Sequence, residues 1–130
     1  MVDIIGVAHF SIPVSDPERS VRFYRDVVGC KVLRTQPDNN MTFLDAGGVC
    51  VLLIKTPHSP SIPISNVVHH AFMVPKGGYQ DGVSHLRSNG VKIELEEDRQ
   101  VGTINGPRAY FYDPDGTVLE FIDRTSYMNK

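Results

Sequence analysis

Two histidines and one glutamate carry the chemistry most open to reading. His9 lies in the run Val7-Ala8-His9-Phe10-Ser11-Ile12-Pro13-Val14 and His69 in Val67-Val68-His69-His70-Ala71-Phe72-Met73-Val74. Each histidine stands five residues before a valine, so the two runs overlay with the imidazoles in register. Glu120 sits between Leu119 and Phe121 in an otherwise apolar strand. An ionised carboxylate there carries a heavy desolvation cost unless a cation or a cavity compensates it. Two imidazoles and one carboxylate, with further positions left open, form the usual donor set for a catalytic divalent ion. Such an ion would polarise a substrate carbonyl or hold an alkoxide or catecholate, lowering the cost of charge that develops during reaction.

Each residue also has a plainer reading. A lone strand histidine is more often a hydrogen-bonded structural residue, and a lone glutamate on an edge strand usually faces solvent. The repeat correspondence and the apolar setting of Glu120 reverse that default for this trio. His70, adjacent to His69, should face the opposite side of a strand and reads as structural or as a support behind a metal ligand. His58 and His85 read as solvent-exposed, and Cys30 and Cys50, without CxxC spacing, read as small buried hydrophobes.

The elements that must position these residues come in two matching sets. Residues 4–14 read as a strand that stops at Ser15-Asp16-Pro17-Glu18, a helix start with proline in the first turn. Val21, Tyr24, Val27 and Val28 recur at helical spacing across residues 18–28, and Gly29 stops the helix before a strand at 30–34. After the turn Pro37-Asp38-Asn39-Asn40, strands at 41–45 and 49–55 flank the hairpin Ala46-Gly47-Gly48. Residues 56–66 hold Pro57, Pro60 and Pro63 with three serines and read as a linker. The pattern then restarts: strand 67–74, helix 80–88, the stop Asn89-Gly90, strand 91–96, and strands 108–112 and 117–123 about Asp113-Pro114-Asp115-Gly116. Overlaying the halves puts Leu52 where Glu120 stands. The expectation is one α+β domain over 1–130, built from two βαβββ modules at about 1–56 and 67–124. Strand alternation could turn Arg108, Tyr110 and Tyr112 to one face as substrate contacts.

These residues resemble the vicinal oxygen chelate superfamily of glyoxalases, extradiol dioxygenases, fosfomycin-resistance enzymes and bleomycin-resistance proteins. The resemblance covers nearly the whole chain. It rests on His9 through Asp16, Phe23-Tyr24-Arg25-Asp26 and Gly29 in the first half. In the second it rests on His69 through Val74 and Tyr110-Phe111-Tyr112-Asp113-Pro114-Asp115-Gly116-Thr117-Val118-Leu119-Glu120-Phe121. It implies a glyoxalase-like fold whose two modules form a curved, incompletely closed mixed sheet, metal ligands at His9, His69 and Glu120, one divalent ion (Fe, Mn, Zn or Ni), and a homodimer, with the site's ligands drawn either from one chain or from both. The leading expectation is a metal-dependent enzyme acting on a substrate chelated through adjacent oxygens, by glyoxalase-like lyase or isomerase chemistry or as an extradiol-type dioxygenase. The alternative is a drug-binding or fosfomycin- or bleomycin-type resistance protein. Glyoxalase I and methylmalonyl-CoA epimerase, a further member, usually place a fourth ligand, Glu or Gln, where Leu52 stands. Gly106-Pro107-Arg108 before Tyr110 resembles the fosfomycin enzymes, in which an arginine near this place helps bind the phosphonate. The carboxylate base of the hydrolysing members falls near Asn40, which cannot take a proton in the same way.

Composition narrows the partners. At 130 residues, 41% hydrophobic and 22% charged, the chain has enough apolar content for a packed core and none of the bias that produces disorder. A net charge of -2 with no Lys/Arg-rich run supplies no field for a phosphate backbone, so nucleic acid is not an expected partner. The opening apolar stretch lacks a basic flank and meets a turn too early for a signal peptide or a membrane span, which reads as a cytoplasmic protein acting on a small molecule.

Overall fold

A computed structural model describes residues 1–36, 40–57 and 68–127 of the chain, which divides into two compact units, Met1–Pro60 and Ser61–Lys130. Turn residues 37–39, most of the linker including His58, and Val67 lie outside the described residues.

In the first unit β1 (His9–Val14) leads into α1 (Pro17–Arg22), a π-helical turn (Phe23–Val28), β2 (Lys31–Thr35), β3 (Met41–Ala46) and β4 (Val49–Lys55). Asp16 caps α1, its Oδ1 accepting from the Arg19 N–H at 3.2 Å, with Pro17 in the first turn. Gly29, at φ 97°, ends the helical stretch, and its N–H and that of Cys30 both donate to the Tyr24 carbonyl. The strands form one sheet in the order β1-β4-β3-β2, with β1 parallel to β4 and the other pairs antiparallel. One face of this sheet supplies Ile12, Val14, Thr42, Leu44, Val51 and Leu53, all but fully buried together with Tyr24 of the helical segment. The other face carries His9, Ser11 and Pro13, all exposed.

The second unit repeats the plan with β5 (His70–Met73), α2 (Tyr79–Ser88), β6 (Leu95–Arg99), β7 (Ile104–Tyr112) and β8 (Val118–Ile122). Its sheet runs β5-β8-β7-β6, again with the first and last strands of the unit parallel, and β9 (Ser126–Tyr127) adds a short pairing on β7. Phe111 and Phe121 meet edge to face at 5.0 Å on the helix side, and Tyr79 and Val83 pack on Ala109.

The two ladders share a register. Leu52 pairs with Ser11 and Phe43, and Glu120 pairs with Ala71 and Tyr110. The α+β expectation of two βαβββ units therefore holds, each with a mixed, open sheet. Two expected strands are shorter or displaced. Residues 4–8 form no strand, and Ile4 and Ile5 are exposed, because β4 has already turned at Gly47-Gly48 and offers no ladder beyond Cys50. The strand expected at 91–96 lies instead at Leu95–Arg99, because Ile93 turns inward against Tyr79, Val83 and Ala109. No helix among the described residues is long and apolar enough to cross a membrane.

Candidate functional site

β8 is buried at every position, so the Glu120 carboxylate is only 3% exposed and has to be satisfied by its own sheet. Its cross-strand partner Tyr110 on β7 and the residue just before β5, His69, stand on the same face. His69 Nε2 lies 3.1 Å from Glu120 Oε1, Arg108 Nη1 lies 3.7 Å from Glu120 Oε2, and Tyr110 stands close enough for its phenol to feel the Glu120 charge. The His69 and Tyr110 rings meet edge to face at 5.7 Å. Burial and the Glu120 charge together hold the Tyr110 phenol above its ordinary pKa, so it stays protonated at neutral pH and remains a donor.

These groups open onto a cavity of about 410 Å³ in the second unit, lined also by Arg99, Thr103, Ile104, Arg124 and the apolar Ala71, Met73 and Ile122. Four of the six sequence-predicted residues, His69, Glu120, Arg108 and Tyr110, are thus brought together. Tyr112 is not among the lining residues, since it pairs with Val118 near the turn end of the hairpin. His9 belongs to the first unit, exposed on the face of its sheet that corresponds to that of His69. His70 faces the other side, where burial lowers its pKa, and His85 is exposed on α2.

The donor set suits a divalent cation. Imidazole nitrogen and carboxylate oxygen are both ordinary donors to such an ion. His69 and Glu120 are already held at 3.1 Å. Within the chain, no group of three or more His, Cys, Asp or Glu side chains able to hold a metal converges among the described residues.

Arg99 and Arg124 escape a reading of motifs. Arg99 shares a face with Glu97 and Arg108 because Glu97 pairs with Arg108 and Arg99 with Gly106, an alternation visible only once the strand is placed at 95–99.

A sequence model of the glyoxalase/bleomycin resistance protein/dioxygenase superfamily matches residues 6–121. The chain belongs to this superfamily. Within it the chain is similar to the metallothiol transferase FosB of Staphylococcus haemolyticus, 29% identical over 95% of this chain and 91% of the relative. It is also similar to the glutathione transferase FosA of Serratia marcescens, 28% identical over 86% of this chain and 76% of the relative. The fold matches the fosfomycin resistance protein FosX of Listeria monocytogenes with a TM-score of 0.78 and 20% identity, covering 95% of this chain and 93% of that one. That FosX was crystallised with Mn(II) and 1S,2S-dihydroxypropylphosphonic acid. The relatives by sequence are named as transferases and the structural neighbour as a resistance protein, none as a lyase, isomerase or dioxygenase, so they stand nearer the alternative expectation than the leading one.

Proposed function

We propose that this chain is a metal-dependent transferase that inactivates an epoxide-bearing phosphonate of the fosfomycin type by adding a small thiol. The carrying observation is the buried Glu120 carboxylate held 3.1 Å from the more open His69 imidazole, in a cavity that also bears Arg99, Arg108 and Arg124. His9, His69 and Glu120 would hold one divalent ion, with His9 supplied from the same chain or from a second copy in a homodimer. When bound, that ion would act as a Lewis acid toward a substrate oxygen.

The rest of the chemistry falls to the chain. Arg99 and Arg124, exposed at the cavity, would take the phosphonate oxygens, a pairing for which guanidinium geometry is suited. Ala71, Met73 and Ile122 would cover the carbon skeleton and keep water out. The thiolate sulfur forms a bond to one epoxide carbon, the carbon–oxygen bond of that carbon breaks, and the released oxygen takes a proton to become a hydroxyl. The protonated Tyr110 can donate a hydrogen bond to that oxygen. Thiol addition is favoured over hydrolysis because the transferases FosB and FosA are the relatives by sequence, and because Asn40, just ahead of β3, cannot serve as a base toward water. Leu52, apolar and buried at the register position of Glu120, supports a three-ligand site over the four-ligand glyoxalase pattern.

Phosphorus NMR of fosfomycin incubated with the protein, Mn(II) and either cysteine or glutathione tests the reading. A thiol-dependent product is expected. Unchanged fosfomycin with both thiols, and no protection of a sensitive host, would reject it.

A further inference from the structure

We propose that Arg108 is a positioning residue, one that fixes which oxygen of Glu120 is offered to a bound cation, and that it does not grip substrate. The inference rests on the metal-dependent reading above.

Arg108 lines the cavity yet is only 4% exposed. Its Nε donates to the Gly106 carbonyl at 3.3 Å and its Nη2 to the Ile104 carbonyl at 2.6 Å. Nη1 is left 3.7 Å from Glu120 Oε2, and Nε is 3.9 Å from Glu97 Oε1 on β6. The guanidinium therefore reaches from the start of β7 to the carboxylates of both neighbouring strands. Swinging it toward a ligand would break two backbone bonds and strip a buried carboxylate of its countercharge, leaving buried polar groups unpaired. With Oε2 drawn toward Arg108, Oε1 is the oxygen that faces His69 Nε2. Glu120 is thereby set to donate through one oxygen, in a fixed orientation, before any ion arrives.

The first unit supplies an internal control. Its ladder pairs Met41 with Ile54 as the second pairs Arg108 with Ile122, so Met41 occupies the place of Arg108 just as Leu52 occupies that of Glu120. The guanidinium is present in the unit that has the carboxylate and absent from the unit that lacks it.

Mn(II) titration followed by the paramagnetic resonance of free Mn(II), run beside steady-state kinetics at saturating metal, separates the roles. Arg108→Gln should weaken Mn(II) binding by about 10–100-fold, the usual effect of losing a group that orients a ligand, while KM for the phosphonate changes little. Arg108→Lys keeps the buried charge but not the fork. It should fold as the parent does, recover part of the lost affinity, and carry the comparison should the glutamine variant unfold. Arg99→Gln should raise KM and leave Mn(II) affinity as it was. Parental Mn(II) affinity in both Arg108 variants, or a raised KM without loss of metal, would overturn the positioning role. A parent protein that binds no Mn(II) would instead defeat the metal-dependent reading itself.

Discussion

Leu52 and Glu120 occupy one position in two ladders built to a single plan, Leu52 opposite Ser11 and Phe43, Glu120 opposite Ala71 and Tyr110. The neighbours decide what that position tolerates. On the face of Leu52 they are Met41, Phe43 and the exposed His9; around Glu120 they are Arg108, Tyr110 and His69.

Leu52→Glu places a carboxylate in the first unit with no guanidinium or phenol built to receive it, and with only the exposed His9 imidazole on the same face. We expect a loss of about 3 kcal/mol, read as a lower urea midpoint at unchanged slope. A variant as stable as the parent would mean that the site face of the first unit is wetter than Leu52, at 7% exposure, indicates.

Gly106, at φ 122°, is where β7 passes closest to the chain after β8, and a Cβ there would collide with the Asp123 carbonyl oxygen. Gly106→Ala should cost on the order of 3–5 kcal/mol, through both backbone conformation and overlap. Gly6→Ala, with open space around it, should leave the thermal midpoint within a degree or two of the parent.

Burial pushes the Cys30 thiol up to about 11 from 9.0. A thiol with a raised native pKa keeps its proton when the unfolded chain has lost it. Its contribution is therefore complete below pH 9 and disappears as pH rises toward 11, amounting to roughly 2–3 kcal/mol. Urea midpoints measured across that window should fall less steeply for Cys30→Ala than for the parent; parallel curves would show that another group governs the alkaline limb.

Tyr110 and Tyr112 are distinguishable by kinetics. Tyr110→Phe removes a donor inside the cavity and should lower kcat by about tenfold, the worth of one hydrogen bond to a charged oxygen. Tyr112→Phe, outside the cavity lining, should leave kcat/KM within about twofold. Equal losses in both would restore Tyr112 to the site.

The duplicated plan was readable from residue types alone, because matched histidines, turn sequences and apolar alternation all repeat in one register. The placement of β6 was not. Val91-Lys92-Ile93 alternates like a strand, yet Ile93 packs beside α2, and the charged segment Leu95–Arg99 forms the edge strand, where charge deters further pairing. Arg99 was missed with it. The repeat pairs His69 with Glu120 and alternation puts Arg108 and Tyr110 on one face, although it puts Tyr112 there equally; the commitment of Arg108 to the Ile104 and Gly106 carbonyls depends on the turn at Gly106 and on side-chain reach, which no periodicity encodes.

The central claim is that His9, His69 and Glu120 jointly hold one divalent ion. Metal content per chain, determined by mass spectrometry after Mn(II) loading and desalting of the parent, His9→Ala, His69→Ala and Glu120→Gln, tests it most directly. We expect about one ion per chain in the parent and almost none in any of the three variants. Full occupancy in the His9 variant, or none in the parent, would contradict it.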